Sequence, residues 1–349
     1  MSEKGFAELV VISGKGGTGK TSILASFAAL AERAVLADCD VDAADLHLVL
    51  RPQVRRREPF SGGRRAAVDE SRCIGCGRCA ELCRFAAVSV VCEQGQWPAG
   101  LGPGGETACR SCSYCVRSCP TRANSEIQGM LADSPSATAP RYRIDPVACE
   151  GCGVCAWFCP AGAIDFGPAV NGESCVSDRE FGPLVHARRG VGEENSGKLV
   201  TTVRREAARI AAEQDHRWLL VDGSPGIGCP VIASITGADA VLIVTEPTLS
   251  GLHDLGRVAE VAGHFGIPAA VCVNKWDLNP QVTEQIQADA RRRGLATLGR
   301  VRYDPNVTAA QLACRSVVEH ASDGGSADIR ELWRRTREYL GSLAPGAQR

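Results

Sequence analysis

The chain has 349 residues, 44% hydrophobic and 23% charged, and a formal net charge of -1. That length exceeds what one hydrophobic core usually fills, so two domains are expected, and the composition is that of a folded protein rather than a disordered one. The near balance of charge excludes a global electrostatic attraction to nucleic acid or an anionic membrane; such a partner would need a local patch.

Cysteine is the outlier, with 18 in the chain and twelve of them in three tight groups. A disulfide framework would scatter them, so the grouping points to metal. The N-terminus carries no basic segment leading into an apolar stretch and a small-residue cleavage site, and no run of about 18 apolar residues occurs. A reduced, cytoplasmic protein without stable membrane insertion is expected.

In chain order, LVVISG (9–14) reads as a buried strand, GKGGT as a glycine-rich turn, and the following TSILASFAALAER as a helix. AVLADCD (34–40) reads as the next strand, with acids at the end where a parallel sheet presents its functional loops. From about 51 the pattern breaks. The arginine run Arg55, Arg56, Arg57, Arg64 and Arg65 reads as a solvated linker, and the sequence to about 172 is dominated by Cys, Gly and Pro. After about 195, strand-like WLLVDGS, AVLIVTEP, AAVCVNK and TLGRVRYD alternate with helical stretches. The expected fold is therefore α/β: a parallel-sheet core of residues 1–57 plus 173–349, split by an inserted cysteine-rich α+β domain, 58–172. In the last helix Ile329, Leu332, Trp333, Thr336 and Leu340 share one side, which suits packing on the core.

GKGGTGKT (14–21) fits GxxxxGK[ST] between a strand and a helix, the context that gives the motif its meaning. Backbone N–H groups of Gly14, Lys15, Gly16, Gly17, Thr18 and Gly19 would curl around phosphate oxygens, and the helix N-terminus favours the same anion. Lys20 would neutralise the β- and γ-phosphates and Thr21 would ligate Mg²⁺. Asp222, ending the apolar strand WLLVD, suits a Walker B role on a magnesium-bound water.

Three segments share the spacing CxxCxxCxxxC: Cys73, Cys76, Cys79, Cys83; Cys109, Cys112, Cys115, Cys119; and Cys149, Cys152, Cys155, Cys159. Three thiolates at that spacing wrap one face of a cubane, while the fourth reaches a second cluster in two-cluster ferredoxins. Zinc sites more often use two CxxC pairs separated by a longer loop. The first and third segments each follow a strand-like stretch ending in Asp (RAAVD, RYRID) and lead into another, as two ferredoxin half-repeats. On that reading Cys73, Cys76, Cys79 and Cys159 hold one [4Fe-4S] cluster, and Cys149, Cys152, Cys155 and Cys83 a second. The middle segment lacks a preceding strand; a third cluster, zinc and unmetallated thiols are its alternatives. Arg84 stands where the other two segments have Pro120 and Pro160.

KGGTGK resembles the deviant Walker A loop of the MinD, ParA and nitrogenase iron-protein superfamily. The whole arrangement resembles the members of that superfamily that carry an inserted ferredoxin domain, with GEENSGKLV, DGSPGIGCPV, VTEPTLSGLHDLGR and VNKWDLN as further matching segments. The resemblance implies ATP and Mg²⁺ as ligands, ATP hydrolysis, and a homodimer closed across ATP. In that picture Lys15 crosses to the partner's nucleotide, Asp40 orients the attacking water, Asp38 supports the magnesium shell, and Asn274 contacts the base. Asp277 completes an NKxD pattern that GTPases use to read guanine, which leaves ATP against GTP open. Cys229 sits at the offset from Asp222 where the nitrogenase iron protein keeps a cluster-bridging cysteine, yet the matching GVG segment continues Glu193-Glu194 and would leave a bridging cluster short of thiolates. The leading expectation is an ATPase that gates electron transfer to a redox partner. A cluster-assembly ATPase serving an acceptor protein, and a redox-sensing positioning ATPase, are the alternatives.

Overall fold

The computed structural model describes residues 4–41, 43–91, 141–189 and 196–343, and the chain divides into two compact units, 1–60 with 171–349, and 61–170. The first unit opens with β1 (Ala7–Ser13), α1 (Lys20–Leu30), β2 (Ala34–Asp38), α2 (Leu46–Leu50) and β3 (Gln53–Phe60). The second contains β4 (Gly63–Val68), α3 (Arg78–Leu82), β5 (Val88–Val91), β6 (Arg141–Ile144), α4 (Val154–Trp157) and β7 (Ile164–Ala169). The chain then returns to the first unit through β8 (Gly172–Asp178), β9 (Leu184–Arg189), α5 (Ser196–Glu213), β10 (Trp218–Pro225) and α6 (Cys229–Ile235). It ends with β11 (Ala240–Thr245), α7 (Leu249–His264), β12 (Ala269–Asn274), α8 (Pro280–Arg292), β13 (Ala296–Val301), α9 (Pro305–Leu312), α10 (Val317–His320) and α11 (Gly325–Leu343).

Among the described residues nine strands of the first unit form one sheet, in the order β13-β12-β11-β1-β10-β2-β9-β8-β3. All neighbours pair in parallel except β8, which runs against both β9 and β3. Near-continuous apolar runs such as LVVI and AVLIV form central strands because both faces are covered. Val10 and Ile12 pack with Val203, Leu255 and Ile286 on one face, while Leu9 and Val11 pack with Phe27, Leu332 and Trp333 on the other. Helix α11 buries Ile329, Leu332, Trp333, Thr336 and Leu340, and Trp333 lies 4.9 Å from Phe27 and 5.2 Å from Trp218, centroid to centroid. No helix among the described residues is long and apolar enough to cross a membrane.

The arginine run corrects one expectation. Residues 53–60 are not a linker but the outermost strand of the sheet, with Arg55 facing Asp178, Arg56 facing Glu58 and Glu206, and Arg57 facing Glu173. An edge strand open to water on both sides needs no apolar alternation, so nothing in its hydropathy marks it.

Among the described residues the second unit forms two antiparallel pairs, β4 with β7 and β5 with β6, in which each strand pairs with one from the other half-repeat. Ala66, Ala87, Val88, Tyr142 and Ile144, among the described residues, form a small buried cluster, ringed by partly buried cysteines. So small a core usually needs a staple such as a bound metal group.

Candidate functional site

Strand β1 ends in the sheet's interior, flanked by β10 and β11, so the loop Gly14–Thr21 emerges at the carboxyl edge where parallel sheets bind ligands. Gly14 has no room for a side chain: a Cβ there would lie 2.3 Å from the Asp254 Cβ. Gly19 adopts φ 92°, and a Cβ would stand 2.3 Å from Asn274 Nδ2. Gly17 has φ 78°, whereas Gly16 borders open space. The loop is tied internally by Ser13 Oγ donating to Lys15 O (2.7 Å), and across to β12 by Asn274 Nδ2 donating to Thr18 O (2.8 Å). Helix α1 starts at Lys20 and aims its N-terminus at the loop's concavity.

Asp38, Asp40 and Asp222 gather beside this loop because β2 and β10 pair in register, Asp222 against Asp38. Lys20 Nζ lies 3.4 Å from Asp40 Oδ2, and Thr21 Oγ donates to Asp222 Oδ2 at 2.7 Å. Burial pushes the Asp222 carboxyl up to about 6, against the pull of Lys20 and Thr21. Burial, then the neighbouring Asp222 and Asp40, raise Asp38 well above the usual carboxylate range. Three buried acids beside one lysine leave negative charge uncompensated, and Asp222 Oδ1 and Thr18 Oγ1 are buried without hydrogen-bond partners. Those orphaned oxygens, next to Thr21, fit a hard cation with oxygen ligands such as Mg²⁺. Asp38 is differently engaged: Oδ1 accepts from Asp40 N and Oδ2 from Leu46 N, both at 3.2 Å, so it holds the β2–α2 loop.

A second charged group was not anticipated from the sequence. Glu246, just past β11, pairs with Lys15 (2.5 Å) and Lys275 (3.4 Å), and Lys275 also donates to Gly17 O at 3.2 Å. Burial works against the Glu246 charge, but Lys15 and Lys275 outweigh it and hold the carboxyl below its ordinary pKa. The position of Glu246 at the carboxyl end of an apolar strand was the available signal. Asp277, by contrast, accepts from Tyr303 N at 2.7 Å and so ties the β13–α9 connection to the loop after β12.

The described cysteines of the second unit line two hollows. One is bordered by Cys73, Cys76, Cys79 and Cys159, the other by Cys83, Cys149, Cys152 and Cys155. Burial raises the Cys79 thiol to about 11 and also raises Cys155, where the nearby Cys149, Cys152 and Cys83 add to the effect. Among the described residues no three His, Cys, Asp or Glu side chains are gathered tightly enough for a single metal ion. Four thiols around a hollow instead fit a cluster, which spreads its ligands over a cubane's corners. The middle motif, Cys109, Cys112, Cys115 and Cys119, lies outside the described residues, as do Cys92 and Glu193-Glu194. Cys229 is exposed at the start of α6, Cys39, Cys175 and Cys272 are buried, and Cys314 is half-buried.

A glycine-rich turn at the end of a central parallel strand, with a lysine, a threonine and an acid from the adjacent strand, defines a P-loop nucleotide-binding protein. The sequence profile of the CobQ/CobB/MinD/ParA nucleotide binding domain matches residues 9–316, and the chain belongs to that family. An uncharacterized protein of Methanocaldococcus jannaschii, MJ0578, is 27% identical over 276 residues, covering 78% of this chain and 79% of the relative. Among solved structures, apo McdA from Cyanothece is 14% identical with a TM-score of 0.50, covering 96% of this chain and 100% of that one. A MinC:MinD cell division complex of Aquifex aeolicus gives 16% identity and a TM-score of 0.49, over 95% and 96%.

Proposed function

We propose that the chain is an ATP-binding and ATP-hydrolysing iron-sulfur protein in which nucleotide-driven pairing of two copies is coupled to electron transfer through two [4Fe-4S] clusters. The observation that carries this reading is the make-up of the two hollows: each draws three cysteines from one half-repeat and the fourth from the other. Bound clusters would supply one-electron chemistry to a redox partner. On the nucleotide side, Lys20 would compensate phosphate charge, Thr21 and Asp222 would hold Mg²⁺, and Asp40, freed from its contact with Lys20, would orient the attacking water. Asn274 already braces the P-loop beside the expected base position, and Asp277 is committed to Tyr303 N, which favours adenine over guanine.

The test is to purify the protein anaerobically, count iron and sulfide, and measure reduction potentials by EPR with and without Mg-ATP. A shift of about 60 mV, a tenfold change in equilibrium for one electron, that Lys20→Ala abolishes would support the coupling. Intact clusters with unmoved potentials would refute it, and preparations that bind no iron under reconstitution would refute the cluster assignment. A second reading, a carrier that hands a cluster to an acceptor protein, is favoured by the exposure of Cys76 and Cys152, one at each hollow. It predicts ATP-dependent loss of iron to an apo-protein.

A further inference from the structure

Lys15 is satisfied within its own chain. Its ammonium reaches Glu246 Oε1 at 2.5 Å, Ser250 Oγ at 3.1 Å and Thr248 Oγ at 3.4 Å, three oxygens for three N–H donors. The pair is partly buried, with Lys15 33% and Glu246 18% exposed, so it is shielded more than a surface ion pair. Glu246 Oε2 also faces Lys275, which grips the P-loop from the other side through Gly17 O. Nothing in the sheet requires an acid after Thr245. The ionic partners of Glu246 come from the phosphate loop and from the loop after β12.

We infer that Glu246 is a latch: it stores Lys15 in cis while the site is free of nucleotide and sets the threshold at which ATP draws two copies together. Glu246 is a positioning residue, acting through Lys15 and not on the phosphates themselves. A lysine that crosses to another copy must first surrender its three local oxygens, so the exchange is a competition between one carboxylate and an incoming triphosphate. Lys275 shares the carboxylate and keeps it when Lys15 departs, so the same event tightens the hold of Glu246 on the base side of the site. The inference rests on the ATP-dependent dimer proposed above.

Full-length Glu246→Gln and Lys15→Ala, singly and combined, test it. In nucleotide-free protein, acetylation of the Lys15 amine read by mass spectrometry against Lys4 should rise in Glu246→Gln. Sedimentation with a non-hydrolysable Mg-ATP analogue should show the dimer forming at about fivefold lower protein concentration, equivalent to about 1 kcal/mol. In the Lys15→Ala background Glu246→Gln should bring no such gain. Unchanged Lys15 labelling, or weaker dimerisation by Glu246→Gln at a wild-type melting temperature, overturns the latch. If Glu246→Gln melts early, Glu246→Asp takes its place: the charge with a shorter reach should raise labelling part of the way, and no rise overturns the idea. A wild type that never dimerises sinks the parent reading and the threshold role with it, whereas the labelling comparison, which needs no nucleotide, still decides whether Glu246 stores Lys15 in cis.

Discussion

Replacing Asp222 by Asn should stabilise the nucleotide-free protein while impairing it as a magnesium site. The carboxyl is buried beside Asp40, and its folded pKa of about 6 stands above the ordinary 3.8. Near pH 3.8 and below, folded and unfolded chains both hold the proton. Between there and about pH 6 the unfolded chain releases it while the folded chain keeps it, so wild-type stability falls with rising pH and this contribution then levels off. The window is about two pH units, each worth about 1.4 kcal/mol, so Asp222→Asn should gain up to about 3 kcal/mol at pH 7.5. The amide oxygen still accepts the Thr21 hydroxyl proton, so that hydrogen bond need not be lost. Urea unfolding without magnesium at pH 4.5, 5.5 and 7.5 reads the gap directly. A gap that does not grow with pH, or a variant less stable than wild type at pH 7.5, would refute the account. Saturating Mg-nucleotide should reverse the order, because only the wild type presents a carboxylate to the cation.

Gly19→Ala should lower the melting temperature and abolish nucleotide binding, since φ 92° costs a non-glycine about 1–2 kcal/mol and the new methyl would displace Asn274; Gly16→Ala, facing open space, should leave melting unchanged. Burial, with His47 and Arg188 close by, pushes His186 down to about 4, so as pH falls from about 6.5 to about 4 the unfolded chain takes up a proton that the folded one refuses. That should remove up to about 3 kcal/mol, a slope that His186→Gln, still within reach of Ser177 Oγ, should flatten in urea titrations. Cys83→Ser should alter the EPR signal of the cluster proposed at Cys149, Cys152 and Cys155 and leave that of the other proposed cluster unchanged; the reverse pattern would overturn the assignment.

The central sheet was legible because strands covered on both faces, such as β1, β10 and β11, must be apolar throughout. The P-loop was legible because phosphate recognition by backbone demands glycine and lysine at fixed spacing. β3 and the β8–β9 hairpin were not read as strands: β3 and β8 are mostly polar, β9 is buried at Leu184, Val185 and Ala187 but breaks its apolar run at His186, and their pairing is decided by distant partners rather than by local pattern. Glu246 escaped because an acid following an apolar strand has many ordinary explanations, and only the approach of two lysines from separate loops singles it out. The motif marked Asp38 as support for a magnesium shell; its two backbone donors, Asp40 N and Leu46 N, come from a loop geometry that a linear motif does not encode.

Phe60 and Gly172 are register partners on β3 and β8. The 61–170 unit therefore leaves and rejoins its host through a neck one strand-spacing wide, and in topological terms the whole unit is the tip of a hairpin. Chain-closure entropy grows with the logarithm of loop length, about 0.6 kcal/mol per doubling, so an unstructured tip of this size would cost a few kcal/mol more than a tight turn; pairing of Gly63 with Ala169 closes most of that loop within the unit itself. A turn of two residues between Phe60 and Gly172 could replace the insert and leave the nucleotide fold whole, separating the two chemistries by excision rather than by point substitution.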